Sequence, residues 1–101
     1  MLTYFITRHP GAIEWAREQG LCVDQQIAHL DIDLIQSGDT VIGSLPVNLA
    51  AEVCKKGATY IHLSLTVPAY WRGQELSAAQ MTECGARLTT FQVSEPHLVN
   101  D

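Results

Sequence analysis

Short apolar runs alternate with amphipathic segments along most of the chain, and a glycine or proline stands at most junctions between them. The runs have the length and composition of β-strands, whereas the amphipathic segments repeat their apolar positions at helical spacing. The pattern predicts strands over residues 2–6, 26–30, 40–45, 58–67 and 88–93. It predicts helices over residues 11–19 and 46–56, and a third between an N-cap at Ser77 and Gly85. This order favours a small Rossmann-like α/β fold with a mostly parallel five-stranded sheet and helices on both faces.

Three details of this pattern bear on packing. The run 58–67 is the clearest strand and is expected to be central, with His62 as a hydrogen-bonded core residue rather than a catalyst. Trp15 borders the apolar stripe of the first helix, where ordinary packing is preferred over a base-stacking platform. The second helix carries a wide apolar arc over residues 47–54, which predicts cover on two sides and indicates a subunit interface.

The turn Thr7-Arg8-His9-Pro10-Gly11 ends the first apolar run and opens into the first helix. Pro10 cannot pair within a sheet but suits the first turn of a helix. Arg8 and His9 are therefore expected at the carboxyl end of a strand. Ligands of open α/β sheets bind at that edge, where helix N-termini present unpaired N–H groups. A cation and an imidazole in this place indicate an anion site.

Two later segments are expected to leave strands at the same edge. Residues 40–46 repeat the order of strand, short turn and proline before a helix, which puts Ser44 and Asn48 beside the helix N-terminus. These two side chains are placed to donate to a phosphate or ribose, and the alternative is that they cap the helix. Residues 70–75 form a polar and aromatic loop after the clearest strand, in a position where loops often carry function.

Composition narrows the classes of function and partner. The 101 residues, 47% of them hydrophobic, predict a single domain over residues 1–94 with a loose tail over residues 95–101. A net charge of −5 with only 6 basic residues argues against a protein that tracks duplex nucleic acid. Three cysteines without C-x-x-C spacing fit a reducing cytoplasm, and no signal peptide or membrane span is visible.

Neither a metal nor a cofactor is predicted. Asp31, Asp33 and Asp39 lack the ligand spacing of a calcium loop, so a solvated turn is favoured over a cation site. No G-x-G-x-x-G motif follows the first strand, which argues against a dinucleotide cofactor.

Four segments taken together resemble a known family. They are TRHPGAIEWA near the start, HLD after the second strand, GDTVIGSLPVNLAAEVCKKGA in the middle and RGQELSAAQMTECGA near the end. In order and spacing they are similar to small stand-alone accessory proteins of type III CRISPR systems, the VVA1548-like ring nuclease group. The resemblance covers residues 3 to about 93. It implies a Rossmann-like fold related to CRISPR-associated sensor domains and the cleavage of cyclic oligoadenylate, with cyclic tetra-adenylate the expected ring.

Such cleavage can proceed without a metal, because a ribose 2′-hydroxyl of the substrate attacks the adjoining phosphorus. The protein must then hold the ring in line and stabilise the added charge. Arg8 and Arg72 are the candidates for that charge, and His9 is the candidate general acid or base. Glu75 is expected to orient Arg72. The candidate ligand-binding residues are Thr7, Gly11 through its backbone, Ser44, Leu45, Asn48, Gly73 and Glu75.

The pseudo-symmetry of such a ring favours a homodimer that places two copies of these turns around one ligand. Three other hypotheses stay open at the level of sequence. The protein could sequester the messenger without cutting it, dock on another CRISPR component, or act on a mononucleotide. Product analysis separates the first of these from a ring nuclease.

Overall fold

The structure is a computed structural model that describes residues 1–97 and 99. Strands and helices alternate along the described chain as the apolar pattern predicts. The strands are β1 (Thr3–Ile6), β2 (Gln25–Ile27), β3 (Thr40–Gly43), β4 (Thr59–Ser64) and β5 (Arg87–Phe91). The α-helices are α1 (Pro10–Glu18), α2 (Val47–Lys55) and α3 (Ala78–Glu83). Two 3₁₀ turns, Ile32–Leu34 and Ala69–Trp71, lie in the connections after β2 and β4.

The strands form one sheet in the order β2-β1-β3-β4-β5. β1 pairs in parallel with β2 and β3, and β3 pairs in parallel with β4, whereas β5 runs antiparallel to β4. The predicted small α/β fold with a mostly parallel five-stranded sheet is thereby confirmed. The expectation that residues 58–67 form the central strand was wrong, because β3 occupies the centre. The apolar pattern of β4 indicates a strand that is buried on both faces. A strand next to the edge strand is buried on both faces just as a central strand is, so the pattern does not distinguish the two positions.

Helices cover both faces of the sheet. α1 and α3 pack together on one face, over a core that includes Phe5, Trp15, Ile42, Leu63 and Met81. α2 covers the other face, where Tyr4, Val41, Val53 and Tyr60 are buried. Trp15 is only 3% exposed, which confirms its assignment to ordinary packing. The predicted capping box of α3 is also present, with Ser77 and Gln80 bonded to each other's backbone N–H groups.

The wide apolar arc of α2 is largely used within the chain. Ala50, Ala51 and Val53 are buried against the sheet, and Leu49 and Cys54 are half-buried. Val47, at the first turn, is 72% exposed. The arc therefore does not by itself require a partner subunit.

Predicted and observed strand limits differ most for β2 and β4. The prediction of a strand over residues 26–30 was wrong beyond Ile27, which pairs with Ile6 at the end of β1. The Thr7 N–H makes the last bond of this ladder, to the Ile27 carbonyl at 3.0 Å. Because β1 ends there, residues 28–30 have no strand partner and form a loop. β4 likewise ends at Ser64, so residues 65–67 belong to the connection that follows it.

Asp39 was wrongly predicted to be solvated. It is 3% exposed, and its carboxylate accepts N–H bonds from Leu2 at 2.9 Å and from Gln36 at 2.8 Å. These two bonds, that from Leu2 foremost, lower the pKa of Asp39 below its usual 3.8. Asp31 caps the following 3₁₀ turn by accepting from the Asp33 N–H at 3.1 Å. The role of Asp39 is to join the start of β1 to the loop that precedes β3.

The predicted loose tail over residues 95–101 lies partly outside the described residues. Within the part of the chain that is described, no helix has the length and apolar character needed to cross a membrane.

Candidate functional site

A cavity of about 610 Å³ opens at the carboxyl ends of the four parallel strands. Its volume lies within the range of about 300–1,000 Å³ that is typical of small-molecule sites. From β1 the chain continues to β2, which is the neighbour of β1 on one flank. It then continues to β3, which is the neighbour of β1 on the opposite flank. The gap between β1 and β3 is therefore the topological switch point, where open α/β sheets bind their ligands. Loops after β1, β2, β3 and β4 all contribute to the cavity wall.

The turn after β1 is held by backbone and threonine contacts. The Thr7 hydroxyl accepts from the His9 N–H at 3.1 Å, and the Thr7 carbonyl accepts from the Gln26 side-chain amide. This leaves Arg8 exposed at the cavity wall and His9 as the N-cap residue of α1. The expectation that Arg8 and His9 lie at the carboxyl end of a strand is confirmed.

His9, in the cavity wall, pairs with Glu75, which lies outside that wall. Its Nδ1 lies 3.2 Å from Glu75 Oε1, and both side chains are more than half exposed. An ionised carboxylate can only accept, so Nδ1 carries the hydrogen of this bond, and in the neutral imidazole Nε2 then has the lone pair. The expectation that Glu75 orients Arg72 was wrong, because Arg72 instead donates from Nε to the Val67 carbonyl at 3.2 Å. That bond uses one donor and leaves the terminal guanidinium nitrogens for a ligand.

A buried tyrosine fixes the turn after β3. The Tyr60 hydroxyl accepts from the Leu45 N–H at 2.9 Å and lies 3.2 Å from the Gly43 carbonyl oxygen. It is also 2.6 Å from His62 Nδ1, which confirms that His62 is a hydrogen-bonded residue of the packed sheet. Burial raises the pKa of Tyr60 above 10, so this hydroxyl is protonated throughout the physiological range.

Ser44 and Asn48 do not cap α2, whose N-cap is Pro46 without a side-chain bond. Ser44 donates its hydroxyl hydrogen to the Leu63 carbonyl at 2.6 Å and so ties β3 to β4. Its oxygen lines the cavity only as an acceptor, which suits a ribose hydroxyl but not a phosphate oxygen. Asn48 is exposed and lies outside the cavity wall.

Gly11 has a structural function at this site. A methyl group on its Cα would lie 1.7 Å from the Leu76 carbonyl oxygen, so only glycine allows this approach. The approach brings the start of α1 against residues 75–77, and it thereby sets the distance between His9 and Glu75. Gly11 itself does not line the cavity.

His29 also lines the cavity, although the sequence reasoning missed it. The residue was assigned to a strand, whereas it stands in the loop after β2 because β2 ends at Ile27. The signal that could have found it is its place in the HLD segment that follows an apolar run. His9 follows β1 by three residues and His29 follows β2 by two, and these paired strands end at the same level.

Of the ten residues proposed from sequence, seven line the cavity and three do not. Those that line it are Thr7, Arg8, His9, Ser44, Leu45, Arg72 and Gly73. Those outside its wall are Gly11, Asn48 and Glu75.

The charge of the cavity wall is opposite to that of the whole chain. Arg8, Arg72, His9 and His29 line it, and no aspartate or glutamate of the described residues does. The chain as a whole has 11 acidic and 6 basic residues. Among the described residues the carboxylates that pair with a basic side chain are Glu75, beside His9, and Glu14, beside Arg17, so neither cavity arginine is neutralised by a carboxylate. The cavity is therefore suited to an anion.

In residues 1–97 and 99, no three histidine, cysteine, aspartate or glutamate side chains gather into a group that could hold a metal ion.

Comparison with known proteins identifies a family for this chain. The family model described as "Putative CRISPR-associated protein (Cas_VVA1548)" matches residues 4–94. No curated protein and no solved structure gives a significant match. The family match begins at the second residue of β1 and covers the remaining strands and helices, including all four loops of the cavity. The chain belongs to the Cas_VVA1548 family of CRISPR-associated proteins.

Proposed function

We propose that the protein is a ring nuclease that binds cyclic oligoadenylate, cyclic tetra-adenylate foremost, and cuts it to end the signal of a type III CRISPR system. The observation that carries the proposal is the cavity with two arginines, two histidines and no carboxylate in its described wall, within an acidic chain. A phosphodiester is the ligand that such a wall favours. The family match adds a CRISPR context, in which a nucleotide messenger is a reasonable substrate.

The reaction needs only groups that the cavity holds. The 2′-hydroxyl of one ribose loses its proton to a base and attacks the adjacent phosphorus. The bond from phosphorus to the 5′-oxygen breaks, and that oxygen takes a proton from an acid. The products are an opened strand with a 2′,3′-cyclic phosphate and a free 5′-hydroxyl. One imidazole that accepts a proton and one that donates a proton balance this step.

We assign these two proton transfers to His9 and His29. In the neutral tautomer that donates from Nδ1 to Glu75, His9 Nε2 has a lone pair, which suits His9 to the role of base in the attack. His29, on the neighbouring loop of the same wall, is then the acid for the leaving oxygen. Arg8 and Arg72 stabilise the charge that grows on the phosphoryl oxygens. Holding the ribose and the phosphate in line can contribute about 7–11 kcal/mol in favourable cases.

A homodimer is part of this proposal. One cavity has the size of a site for a small ligand, whereas the ring carries four nucleotides. A two-fold arrangement offers two cavities to one ring and doubles the cationic groups around it. Val47 and Tyr70 are 72% and 73% exposed and adjoin the cavity residues Pro46 and Trp71 in the chain. They provide apolar surface near the mouth for a second copy.

The test is to incubate the purified protein with cyclic tetra-adenylate in EDTA and to resolve the products by liquid chromatography and mass spectrometry. We expect linear products that end in a 2′,3′-cyclic phosphate. Tight binding with the ring intact would instead identify a sequestering protein, and strict dependence on an added divalent cation would reject the mechanism. Light scattering with and without the ring tests the dimer, and a monomer in both states would refute it.

A further inference from the structure

Arg8 and Arg72 explain how the rim of the cavity would bind phosphate, but they do not explain the apolar composition of its floor. The floor consists of core side chains, among them Phe5, Leu63 and Met81, which are 1–7% exposed and belong to the cluster beneath α1 and α3. Leu65, Leu76 and Trp71 also line the cavity and are only half-buried, so they are the part of this apolar surface that water reaches. A phosphate or a ribose alone would leave these three side chains in contact with water, which is unfavourable for apolar surface. The ligand therefore has a flat or apolar part as well as an anionic one.

We propose that Trp71 is the stacking surface for a nucleobase, with the neighbouring Arg72 binding the phosphate of the same nucleotide. This inference rests on the proposed function and specifies which part of the protein recognises the base. The side chain of Trp71 is half-buried at the cavity wall, so part of its indole face is available. Base–aromatic stacking together with an arginine is a common means of binding single-stranded nucleotides.

Trp71 is held in place before any ligand arrives. Its backbone N–H donates to the Pro68 carbonyl at 2.9 Å, and its carbonyl accepts from the Gln74 N–H at 3.3 Å. Tyr70 packs edge to face against the indole, with ring centroids 5.6 Å apart and an interplanar angle of 74°. The Arg72 bond to the Val67 carbonyl fixes the guanidinium relative to the same turn. An aromatic surface and a cation are thus fixed on one short segment, which lowers the entropic cost of binding.

The surroundings of Trp71 also indicate which nucleobases this stacking surface does not distinguish from one another. Gln74, the amide side chain of the loop, donates one of its two amide hydrogens to the Tyr70 carbonyl at 3.3 Å, which directs this side chain back to its own loop. The apolar floor offers no donor or acceptor to a base edge. Stacking without edge contacts is tolerant of the base, because every base presents a π-face. The site is expected to prefer purines for their larger rings but to separate adenine from guanine only weakly.

The test uses mononucleotides, which are not substrates for ring opening. Isothermal titration is carried out with adenosine 5′-monophosphate, guanosine 5′-monophosphate, ribose 5-phosphate and inorganic phosphate. We expect the two nucleotides to bind within a few-fold of each other, and ribose 5-phosphate to bind on the order of 10- to 100-fold more weakly. Trp71→Ala should weaken adenosine monophosphate binding by the same factor and leave ribose 5-phosphate binding unchanged. Trp71→Phe should restore most of the affinity.

The outcomes separate stacking from a structural role. An equal loss for both ligands in Trp71→Ala, or adenosine monophosphate binding no better than ribose 5-phosphate, would overturn the proposal. Phe91→Ala is the matched control, because Phe91 is a 47% exposed aromatic on β5, outside the cavity wall, and its loss should leave both affinities unchanged.

Tryptophan fluorescence provides a second measurement that does not need the alanine variant. Adenosine monophosphate should quench the fluorescence of the parent protein but not that of Trp71→Phe. Failure of the parent protein to open the ring would reject the proposed function and leave this stacking result intact.

Discussion

Replacement of Gly11 by alanine tests the contact that joins α1 to the segment before α3. The added methyl group would lie 1.7 Å from the Leu76 carbonyl oxygen and 2.9 Å from its carbonyl carbon. Both are backbone atoms, so no side-chain rotation relieves the overlap. The start of α1 must therefore move away from residues 75–77.

Two effects of opposite sign decide the stability of Gly11→Ala. Alanine favours the helix over glycine by at most about 1 kcal/mol. Overpacking a tight contact costs about 1–3 kcal/mol or more, and an overlap with backbone belongs at the upper end. We expect a net loss of about 1–3 kcal/mol, which for a domain of this size lowers the Tm by roughly 4–20 °C. Thermal unfolding followed by circular dichroism measures it.

Gly20→Ala is the control variant. Unlike Gly11, Gly20 has room for the added methyl group, since no atom lies within 4 Å of it, but its φ of +78° is a left-handed conformation that disfavours alanine. Both variants should lose stability, whereas only Gly11→Ala should separate His9 from Glu75 and lower the cleavage rate. A Gly11→Ala protein with a Tm equal to or above the parent's would show that the close approach does not exist. The geometry assigned to His9 would then be wrong as well.

Three further predictions concern the site and the fold. Arg8→Ala should lower the single-turnover cleavage rate by more than it weakens ring binding, with Arg17→Ala as the control; equal losses would assign Arg8 to binding alone. His29→Ala should lower the rate on the order of 10²- to 10⁴-fold with little loss of affinity, and an unchanged rate would remove it from the proton transfers. The lowered pKa of Asp39 stabilises the fold above pH 3.8, and this contribution should disappear as the pH falls through the folded-state pKa. Chemical denaturation of Asp39→Asn should show lower stability at neutral pH and a weaker decline between pH 5 and 2; a parental pH profile would contradict the assignment.

Local sequence was sufficient for the order of the elements and for the edge of the sheet that carries the site. The 3.6-residue and two-residue periodicities report burial directly, because a side chain's direction follows from its place in a helix or strand. Pro10 and the Ser77–Gln80 capping box mark helix starts through interactions within a few residues. The placement of Arg8 at the end of β1 follows from these local signals alone.

The tertiary structure determined those strand limits and side-chain contacts that depend on residues far apart in the chain. The end of β2 was set by the end of β1, which moved His29 from a strand into the cavity wall. Glu75 lies beside His9, 66 residues away in the chain. Asp39 is buried where its carboxylate accepts from the N–H of Leu2, 37 residues away, as well as from that of nearby Gln36. No periodicity encodes such contacts, because they depend on which loops the strand order brings together. The sequence therefore determined that Arg8, His9 and Ser44 stand at the edge of the sheet that carries the candidate site, and the packing of strands and loops determined which other residues join them there and which of them face one another.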